Sequence, residues 1–248
     1  MAPLRNAYLD ALGIDRWVRR DAPAEIASIP PAVTASQITA PGARIAPPAL
    51  APFVPMPPTA DWNTLRARVA ACTACDLCKT RTQTVFGVGN ERAEWLVIGE
   101  APGAEEDRQG EPFVGRAGQL LNAMLLAVGL PREQVFIANI LKCRPPGNRD
   151  PKPEEVSRCL PYLSNQIALL KPRIILAVGR IAAQNLLATD APLARLRGKV
   201  HSFGEPATPM VITYHPAYLL RTPPDKRKAW EDLKLARATY SRLAAGNA

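Results

Sequence analysis

The 248-residue sequence contains no run of about 18 apolar residues, the length that a membrane-crossing helix requires. Charged residues such as Arg5 and Asp10 stand where a signal peptide would have its apolar segment, so we expect no secretion signal. Cysteine is scarce as well, with five residues, and the cytosol keeps thiols reduced. We therefore expect a cytoplasmic protein without membrane contact, whose cysteines bind a metal or are buried.

Acidic residues are also in short supply. There are 22 Asp and Glu against 31 Lys and Arg, which gives a formal net charge of +9 and a pI of about 9.6. A basic surplus of this kind indicates a polyanionic partner, with nucleic acid as the first candidate. The first 60 residues contribute a net charge of only +1, so the expected polyanion-binding surface belongs to the remaining chain.

The N-terminal quarter of the chain has an unusual composition. Residues 22–60 consist largely of alanine and ten prolines, a composition that cannot bury a core and predicts a disordered linker. Residues 1–21 before it place Leu4, Tyr8, Leu12 and Trp17 near helical spacing, which predicts a short amphipathic helix. Residues 4–20 resemble the N-terminal peptide of the psi subunit of the bacterial clamp loader, which implies docking to a replication protein. The alternative is a helix lying on its own domain.

Residues 61–248 alternate between strand and helix patterns. Strands are predicted at residues 95–99, 135–140, 173–178 and 210–214, and helices at 62–71, 115–128, 153–170, 181–187 and 225–243. Such alternation with short connections indicates an α/β domain in which helices cover both faces of a central parallel sheet.

Polar residues follow three of the predicted strands: Glu100, Asn139 and His215. Because the carboxyl ends of parallel strands share one edge, these side chains are expected to converge there. A carboxylate, an amide and an imidazole on a basic domain suggest a site for base recognition and hydrolysis. Taken singly, Asn139 could cap a turn and His215 could be structural. The loop after the first strand adds Glu106 and Phe113, and its alternative interpretation is an ordinary turn with solvated acids.

The cysteines are spaced like metal ligands. Cys72 and Cys75 form a CxxC pair, and Cys143 and Cys159 form a second, wider pair. Four thiolates suit either Zn²⁺ or a [4Fe-4S] cluster, and the spacing does not distinguish the two. Cys78 is a fifth thiol that could replace one ligand. Buried thiols without a metal are the remaining alternative.

Five motifs together resemble those of the family 4 uracil-DNA glycosylases, the iron–sulfur branch of the uracil-DNA glycosylase superfamily. They are CTAC at 72–75, GEAPGAEED at 99–107, GEPFVGRAGQLLN at 110–122, NILKCRPPGNRDP at 139–151 and HPAYLLR at 215–221. The resemblance runs from about Cys72 to Arg237. It implies the superfamily fold, a [4Fe-4S] cluster held by Cys72, Cys75, Cys143 and Cys159, and a DNA-repair enzyme. Such an enzyme hydrolyses the N-glycosidic bond of uracil in single- and double-stranded DNA and leaves an abasic site.

The resemblance also implies roles for individual residues. Phe113 would stack on a flipped uracil, Asn139 would read its edge, and His215 would stabilise the anion of the leaving base. Glu100, with Asn148, would hold the attacking water. Glu106 would exclude the methyl group of thymine, and Ala101 is expected beside the base.

Residues that would contact DNA are predicted near the C-terminal motif. Leu219, Leu220 and Arg221 have the character of an intercalating wedge followed by a phosphate contact, and the alternative is a hydrophobic helix start. Arg197 and Lys199 are further candidate phosphate contacts, together with Lys226, Arg227 and Lys228.

Two other functions stay open on the sequence alone. One is a glycosylase for deaminated purines such as hypoxanthine or xanthine, and the other is a non-catalytic, cluster-bearing DNA-binding module. A related branch bonds covalently to uracil through a histidine in an inserted basic loop. Here Gly115–Gly118 runs directly into the predicted helix, which favours turnover. We expect a monomer.

Overall fold

The computed structural model describes residues 58–205 and 207–245. The predicted docking helix (1–21) and nearly all of the predicted linker (22–60) lie outside these ranges. Thr59 is buried, and its backbone N–H donates to Oδ1 of Asn165 at 2.7 Å, so the packed domain includes residues just before position 61. No helix in the described ranges combines the length and the apolar character needed to cross a membrane.

Eight α-helices and six strands make up the described part of the chain. The strands are β1 (Val88–Gly89), β2 (Trp95–Gly99), β3 (Phe136–Asn139), β4 (Ile174–Val178), β5 (Val200–Phe203) and β6 (Thr208–Thr213). The helices are α1 (Trp62–Ala70), α2 (Ala104–Gln109), α3 (Arg116–Ala127), α4 (Pro153–Leu170), α5 (Arg180–Leu187), α6 (Leu193–Leu196), α7 (Pro216–Arg221) and α8 (Lys226–Ala245). Short 3₁₀ turns occur at Asp76–Lys79, Arg132–Gln134, Pro146–Asn148 and Pro223–Asp225.

The strands form one sheet in the order β1-β3-β2-β4-β6-β5. The four central strands run parallel, and β1 and β5 pair antiparallel at the two edges. The predicted central parallel sheet is therefore confirmed. The antiparallel edges were not predicted because β1 has two residues and β5 is largely exposed, so neither carries the apolar run of a buried strand.

Successive residues of the central strands pack on opposite faces of the sheet. In β2, Leu96 and Ile98 belong to the core cluster that contains Leu65 of α1 and Leu163 of α4. Trp95 and Val97 point to the other cluster, which is built from α3, α7 and α8. All five residues of β2 are buried, as expected for a parallel strand covered on both sides. The predicted helical cover on both faces is confirmed.

The register of the central strands brings their polar ends together. Gly99 at the end of β2 pairs with Asn139 at the end of β3. The segments after these two strands also lie side by side, since the Leu141 N–H donates to the Glu100 carbonyl at 3.0 Å. Val178 and Thr213 are paired at the ends of β4 and β6. His215 follows two residues later, at the start of α7. This edge of the sheet is where ligands bind in open α/β folds.

Candidate active site

The ends of β2, β3 and β6 open into one cavity of about 420 Å³, called here the strand-end cavity. The structure brings Glu100, Asn139 and His215 together in its wall, although 115 residues separate the first from the last. The cavity is lined by Glu100, Ala101, Pro102, Gly103, Glu106, Phe113, Ala117, Asn139, Pro145, Asn148, Arg149, Asp150, His215, Ala217, Tyr218 and Arg221.

Asn139 is the best-buried polar residue of this wall, with 2% of its surface exposed. Its backbone carbonyl accepts a hydrogen bond from Lys142 Nζ at 2.9 Å. Its side-chain Oδ1 has no hydrogen-bond partner within the described residues. Leaving a buried acceptor unpaired costs about 1–3 kcal/mol, so such an atom marks a place where a ligand donor fits.

Phe113 is held in a backbone conformation that bulky residues rarely adopt, with φ of 55°. Its ring is buried and lies 5.6 Å from the His215 ring, centroid to centroid, with 31° between the planes. The aromatic face and the imidazole therefore form adjacent parts of one wall. Backbone strain of this kind costs about 1–3 kcal/mol and persists where surrounding contacts fix it.

Glycines that the sequence reasoning missed leave room for these side chains. A Cβ on Gly99 would stand 2.4 Å from Asn139 Oδ1 and 2.6 Å from Phe113 Cζ. A Cβ on Gly118 would stand 1.8 Å from the Phe113 carbonyl oxygen, and one on Gly179 would stand 2.9 Å from His215 Cβ. The sequence signal was weak, because a glycine after an apolar strand also occurs in ordinary turns.

Glu106 holds the Phe113 loop against the start of α2. One carboxylate oxygen accepts the N–H groups of Val114 at 3.0 Å and Gly115 at 3.1 Å, and the other accepts the N–H of Gly103 at 3.1 Å. The side chain lines the cavity, but its oxygens are engaged with the backbone. The structure thus gives Glu106 a positioning role, and the exclusion of thymine by this residue stays a prediction.

His215 has a defined protonation pattern. It precedes the first turn of α7, and its Nδ1 accepts the N–H of Ala217 at 3.2 Å, which places the ring proton on Nε2. Burial, with the nearby cationic Arg221, lowers the pKa of His215 to about 4, while Glu106 acts weakly in the opposite direction. The imidazole is therefore neutral at pH 7 and carries one N–H donor.

Glu100 lies in a different electrostatic environment. Burial, with the nearby carboxylate of Asp150, raises the pKa of Glu100 to about 7, and Arg180 opposes this shift. Asp150 and Arg180 form an ion pair at 2.6 Å on the rim. Sequence reasoning missed both, although Asp150 is part of the GNRDP segment. The carboxyl group of Glu100 is thus poised between its protonated and ionised forms near neutral pH.

Asn148 and Ala101 both line the strand-end cavity. Asn148 is exposed, has a φ of 55°, and accepts a hydrogen bond from Arg144 Nε at 2.8 Å through Oδ1. Ala101 is half-buried directly after Glu100 and packs against the core.

Two of the predicted DNA contacts need correction. Leu219 is 1% exposed and belongs to the hydrophobic core, so it is not available for insertion between bases. Arg197 is a partner of the buried Asp232 at 2.6 Å, and its guanidinium lies over the Tyr214 ring at 4.2 Å. Its positive charge is therefore paired within the domain and is not available to a DNA phosphate. Leu220, Arg221 and Lys199 are exposed, as a DNA contact requires.

The cysteines surround a second cavity, called here the cysteine cavity. Arg81 Nη1 lies 3.0 Å from Cys143 Sγ, and the Lys142 backbone N–H donates to Cys159 Sγ at 3.1 Å. Its wall includes Cys72, Cys75, Cys78, Cys143 and Cys159, with Leu77, Arg81, Leu141, Arg158 and Tyr162 among the other residues. In the described part of the chain, no three His, Cys, Asp or Glu side chains are arranged to hold a single metal ion.

The surroundings of the thiols suit a bound metal centre. Burial raises the pKa of Cys159 to about 12, so this thiol needs a positive neighbour to ionise. A metal supplies that charge, and the N–H donors at Cys143 and Cys159 stabilise thiolate sulfur. The four predicted ligands and Cys78 share one cavity but do not close on a single ion, so the donor set fits a cluster of several metal atoms, and the fifth thiol is not separated from the others.

Comparisons with known proteins show the family to which the chain belongs. The sequence profile of the Uracil DNA glycosylase superfamily matches residues 86–234, so the chain belongs to this superfamily. The type-4 uracil-DNA glycosylase of Archaeoglobus fulgidus is 47% identical over 173 residues, which cover 67% of this chain and 86% of the relative. That of Thermotoga maritima is 41% identical over 176 residues, covering 69% and 90%. Within the superfamily, the chain belongs to the type-4 uracil-DNA glycosylases.

A relative from another branch matches less of the chain. The type-5 uracil-DNA glycosylase of Thermus thermophilus is 35% identical over 134 residues, which cover 48% of this chain and 59% of the relative. The predicted family is therefore confirmed, as is the prediction that the protein is an enzyme of the glycosylase class.

Proposed function

We propose that the protein repairs DNA by hydrolysing the N-glycosidic bond of uracil, releasing the base and leaving an abasic site. One observation carries the proposal: a buried amide with an unpaired oxygen, Asn139, stands beside an aromatic ring and a neutral imidazole. The type-4 relatives, which are uracil-DNA glycosylases by name, support the same reaction.

The strand-end cavity has to bind the base after it has rotated out of the DNA stack. A target base within a duplex is inaccessible until it is rotated out, at a cost of a few kcal/mol for lost stacking and pairing. The Phe113 ring supplies a flat apolar surface that replaces part of the lost stacking. The roughly 420 Å³ of space gives room for a pyrimidine and its sugar.

Asn139 reads the edge of the base. Uracil offers a donor at N3 and an acceptor at O4, and one carboxamide pairs with both. The unpaired Oδ1 of Asn139 then accepts from N3. Cytosine presents the reverse pattern at these two atoms and would leave the buried amide unpaired, so it is rejected.

His215 stabilises the leaving base. As the C1′–N1 bond breaks, its electron pair moves onto the base, and negative charge develops at O2. The Nε2–H of neutral His215 donates to that oxygen. A donor placed where charge develops is worth about 10²–10³ in rate.

Glu100 holds the attacking water. Its carboxylate form accepts a hydrogen bond from the water, and the water oxygen then bonds to C1′ while the carboxylate takes the released proton. Asn148, on the same wall, gives the water a second partner. The pKa of about 7 for Glu100 leaves a large fraction ionised at neutral pH.

The rim supplies the DNA contacts. Leu220 is the exposed apolar residue of α7 and fills the space left by the rotated base, while Arg221 meets phosphate. Lys199, Lys226 and Arg227 add exposed positive charge for the DNA backbone, whereas Lys228 is exposed but paired with Asp225 at 2.9 Å.

The cysteine cavity holds a [4Fe-4S] cluster through Cys72, Cys75, Cys143 and Cys159 in this proposal. These four thiolates would hold the cluster from the segment after α1, the segment after β3 and α4, and the cluster would supply a structural cross-link between them. The type-4 relationship and the sulfur-directed donors support it. Cys78 lines the same cavity, so its exclusion from the ligand set stays a prediction.

Residues 4–20 lie outside the described part of the chain, and docking of this segment to a replication or clamp-loader protein stays a proposal. The disordered linker, the monomeric state and the cytoplasmic location also stay proposals. Deletion of residues 1–57 is expected to leave glycosylase activity intact, since every residue assigned to the reaction follows Thr59.

An incision assay tests the function. Oligonucleotides carrying uracil, hypoxanthine or 5-methylcytosine are treated with wild-type, Asn139→Ala and His215→Ala proteins. We expect uracil release, detected as strand cleavage once alkali has opened the abasic sites, with rates lowered about 10³-fold by Asn139→Ala and about 10²–10³-fold by His215→Ala. Asn63→Ala, an exposed asparagine of α1, is the control and should keep the wild-type rate.

Each alternative predicts a different outcome. Preference for hypoxanthine would indicate a glycosylase for deaminated purines. Binding without incision of any oligonucleotide would indicate a DNA-binding module. Full uracil release by Asn139→Ala would show that the recognition scheme is wrong.

A further inference from the structure

Arg132 makes an unusual number of contacts for a residue outside the strand-end cavity. It lies in the 3₁₀ turn before β3, and its guanidinium donates to the Pro112 carbonyl at 2.6 Å, the Phe113 carbonyl at 3.4 Å and Glu111 Oε1 at 3.0 Å. A fourth contact, to Asn122 Oδ1 at 3.1 Å, reaches α3. The side chain is 21% exposed, so most of these bonds are shielded from water.

Three of the four contacts converge on the segment that carries the Phe113 ring, and the fourth ties the guanidinium to α3. Phe113 has a φ of 55°, which is unfavourable for a bulky residue unless its surroundings fix it. Glu106 fixes the segment after Phe113 through Val114 and Gly115. Arg132 fixes the segment before it and the Phe113 carbonyl itself.

We propose that Arg132 is a positioning residue for base recognition: its guanidinium locks the Glu111–Phe113 segment so that the Phe113 ring is presented to the extruded uracil. The inference rests on the proposed function, because it assumes that uracil stacks on Phe113. The planar fork of arginine suits the task, since it bonds several carbonyl oxygens in fixed directions, whereas a lysine ammonium is a single mobile point charge.

A double-mutant cycle tests the inference, using Arg132→Met, Phe113→Ala and the double variant. Single-turnover uracil release is measured with the metal-loaded protein, well below each variant's melting temperature. We expect Phe113→Ala to lower the rate about 10- to 100-fold, the worth of one base–aromatic stack. Arg132→Met should lower it about tenfold, because misplacement of a positioning group by ~1 Å costs up to 10²-fold. The double variant should be no slower than Phe113→Ala alone.

Two further variants distinguish positioning from general effects. Arg132→Lys keeps the charge but loses the fork and should be nearly as slow as Arg132→Met. Arg92→Met removes an exposed positive charge from the turn before β2 and should keep the wild-type rate.

The outcomes separate the two claims. Rate losses that multiply in the double variant, a wild-type rate for Arg132→Met, or full activity of Arg132→Lys would each overturn the role of Arg132 and leave the proposed function standing. A wild-type rate for Phe113→Ala would show that uracil does not stack on this ring. It would then remove the basis of the Arg132 role and of the stacking step in the proposed function.

Discussion

The strand-end cavity and the cysteine cavity both take wall residues from one chain segment, residues 139–159, yet they are built in opposite ways. The strand-end cavity is roomy, its Asn139 Oδ1 is unpaired within the described residues, and Phe113 is strained. In the cysteine cavity, N–H donors already face the sulfur atoms of Cys143 and Cys159. The first arrangement suits a ligand that comes and goes, and the second suits a permanent one.

Lys142 stands between the two cavities and shows how closely they are joined. Its side chain is 1% exposed, and Nζ donates to the Asn139 carbonyl at 2.9 Å and to Gln166 Oε1 at 2.6 Å. Its backbone N–H meets Cys159 Sγ. The two cavities therefore have different tasks: residues of the cysteine cavity should govern stability, and residues of the strand-end cavity should govern rate.

The largest expected effect comes from removing a metal ligand. Cys159→Ala should abolish metal binding and lower the free energy of unfolding by more than about 5 kcal/mol, because the energy of binding a structural metal is folding energy. Thermal unfolding and metal analysis of anaerobically purified protein measure this, with about four irons per chain expected for the wild type. Cys78→Ala is the matched control and should keep its iron. One zinc per chain would contradict the cluster.

A smaller effect, mainly on rate, is expected from Gly99→Ala. The new methyl group would overlap Asn139 Oδ1 and the Phe113 ring, so both must shift, and uracil release should slow by about 10²-fold. Gly129→Ala is the control: its φ of 74° strains an alanine, but no atom lies within 4 Å of the added Cβ. It should cost about 1 kcal/mol of stability and leave the rate unchanged. A wild-type rate for Gly99→Ala would show that the clearance is unnecessary.

The smallest effect is expected from pH. Glu100 must be ionised to hold the water, so kcat/KM should rise with pH through its pKa of about 7, by roughly tenfold between pH 6 and 8. His215, with a pKa of about 4, stays neutral over this range, so its titration does not change kcat/KM between pH 6 and 8. Glu100→Gln should flatten the profile. A rising limb that persists in Glu100→Gln would assign it to another group.

Much of the fold could be predicted because its signals are local. The apolar run of residues 95–99 and the regular pattern of 153–170 match β2 and α4 to the residue. Helix α2 escaped prediction because six residues give too little periodicity. The ends of the predicted strands also indicated Glu100, Asn139 and His215, since a parallel sheet has one carboxyl edge.

Local sequence does not determine which charged and apolar side chains are exposed. Arg197 and Lys199 looked alike in the sequence, yet Arg197 is committed to Asp232, which lies 35 residues away, while Lys199 is exposed. Leu219 is buried and its neighbour Leu220 is exposed, because successive side chains of a helix point about 100° apart. Arg132 gave no signal at all, because its partners at Glu111, Pro112 and Phe113 become visible only when the loop is folded.

The amino-acid order by itself therefore specified the alternation of strands and helices, the edge where chemistry occurs and the residue types gathered there, because backbone periodicity and strand direction are local properties. Packing in three dimensions settled which polar atoms have partners, which glycines leave clearance and which cations are free to meet DNA. These properties depend on contacts between segments that are far apart in the sequence. Such contacts form only when the chain folds.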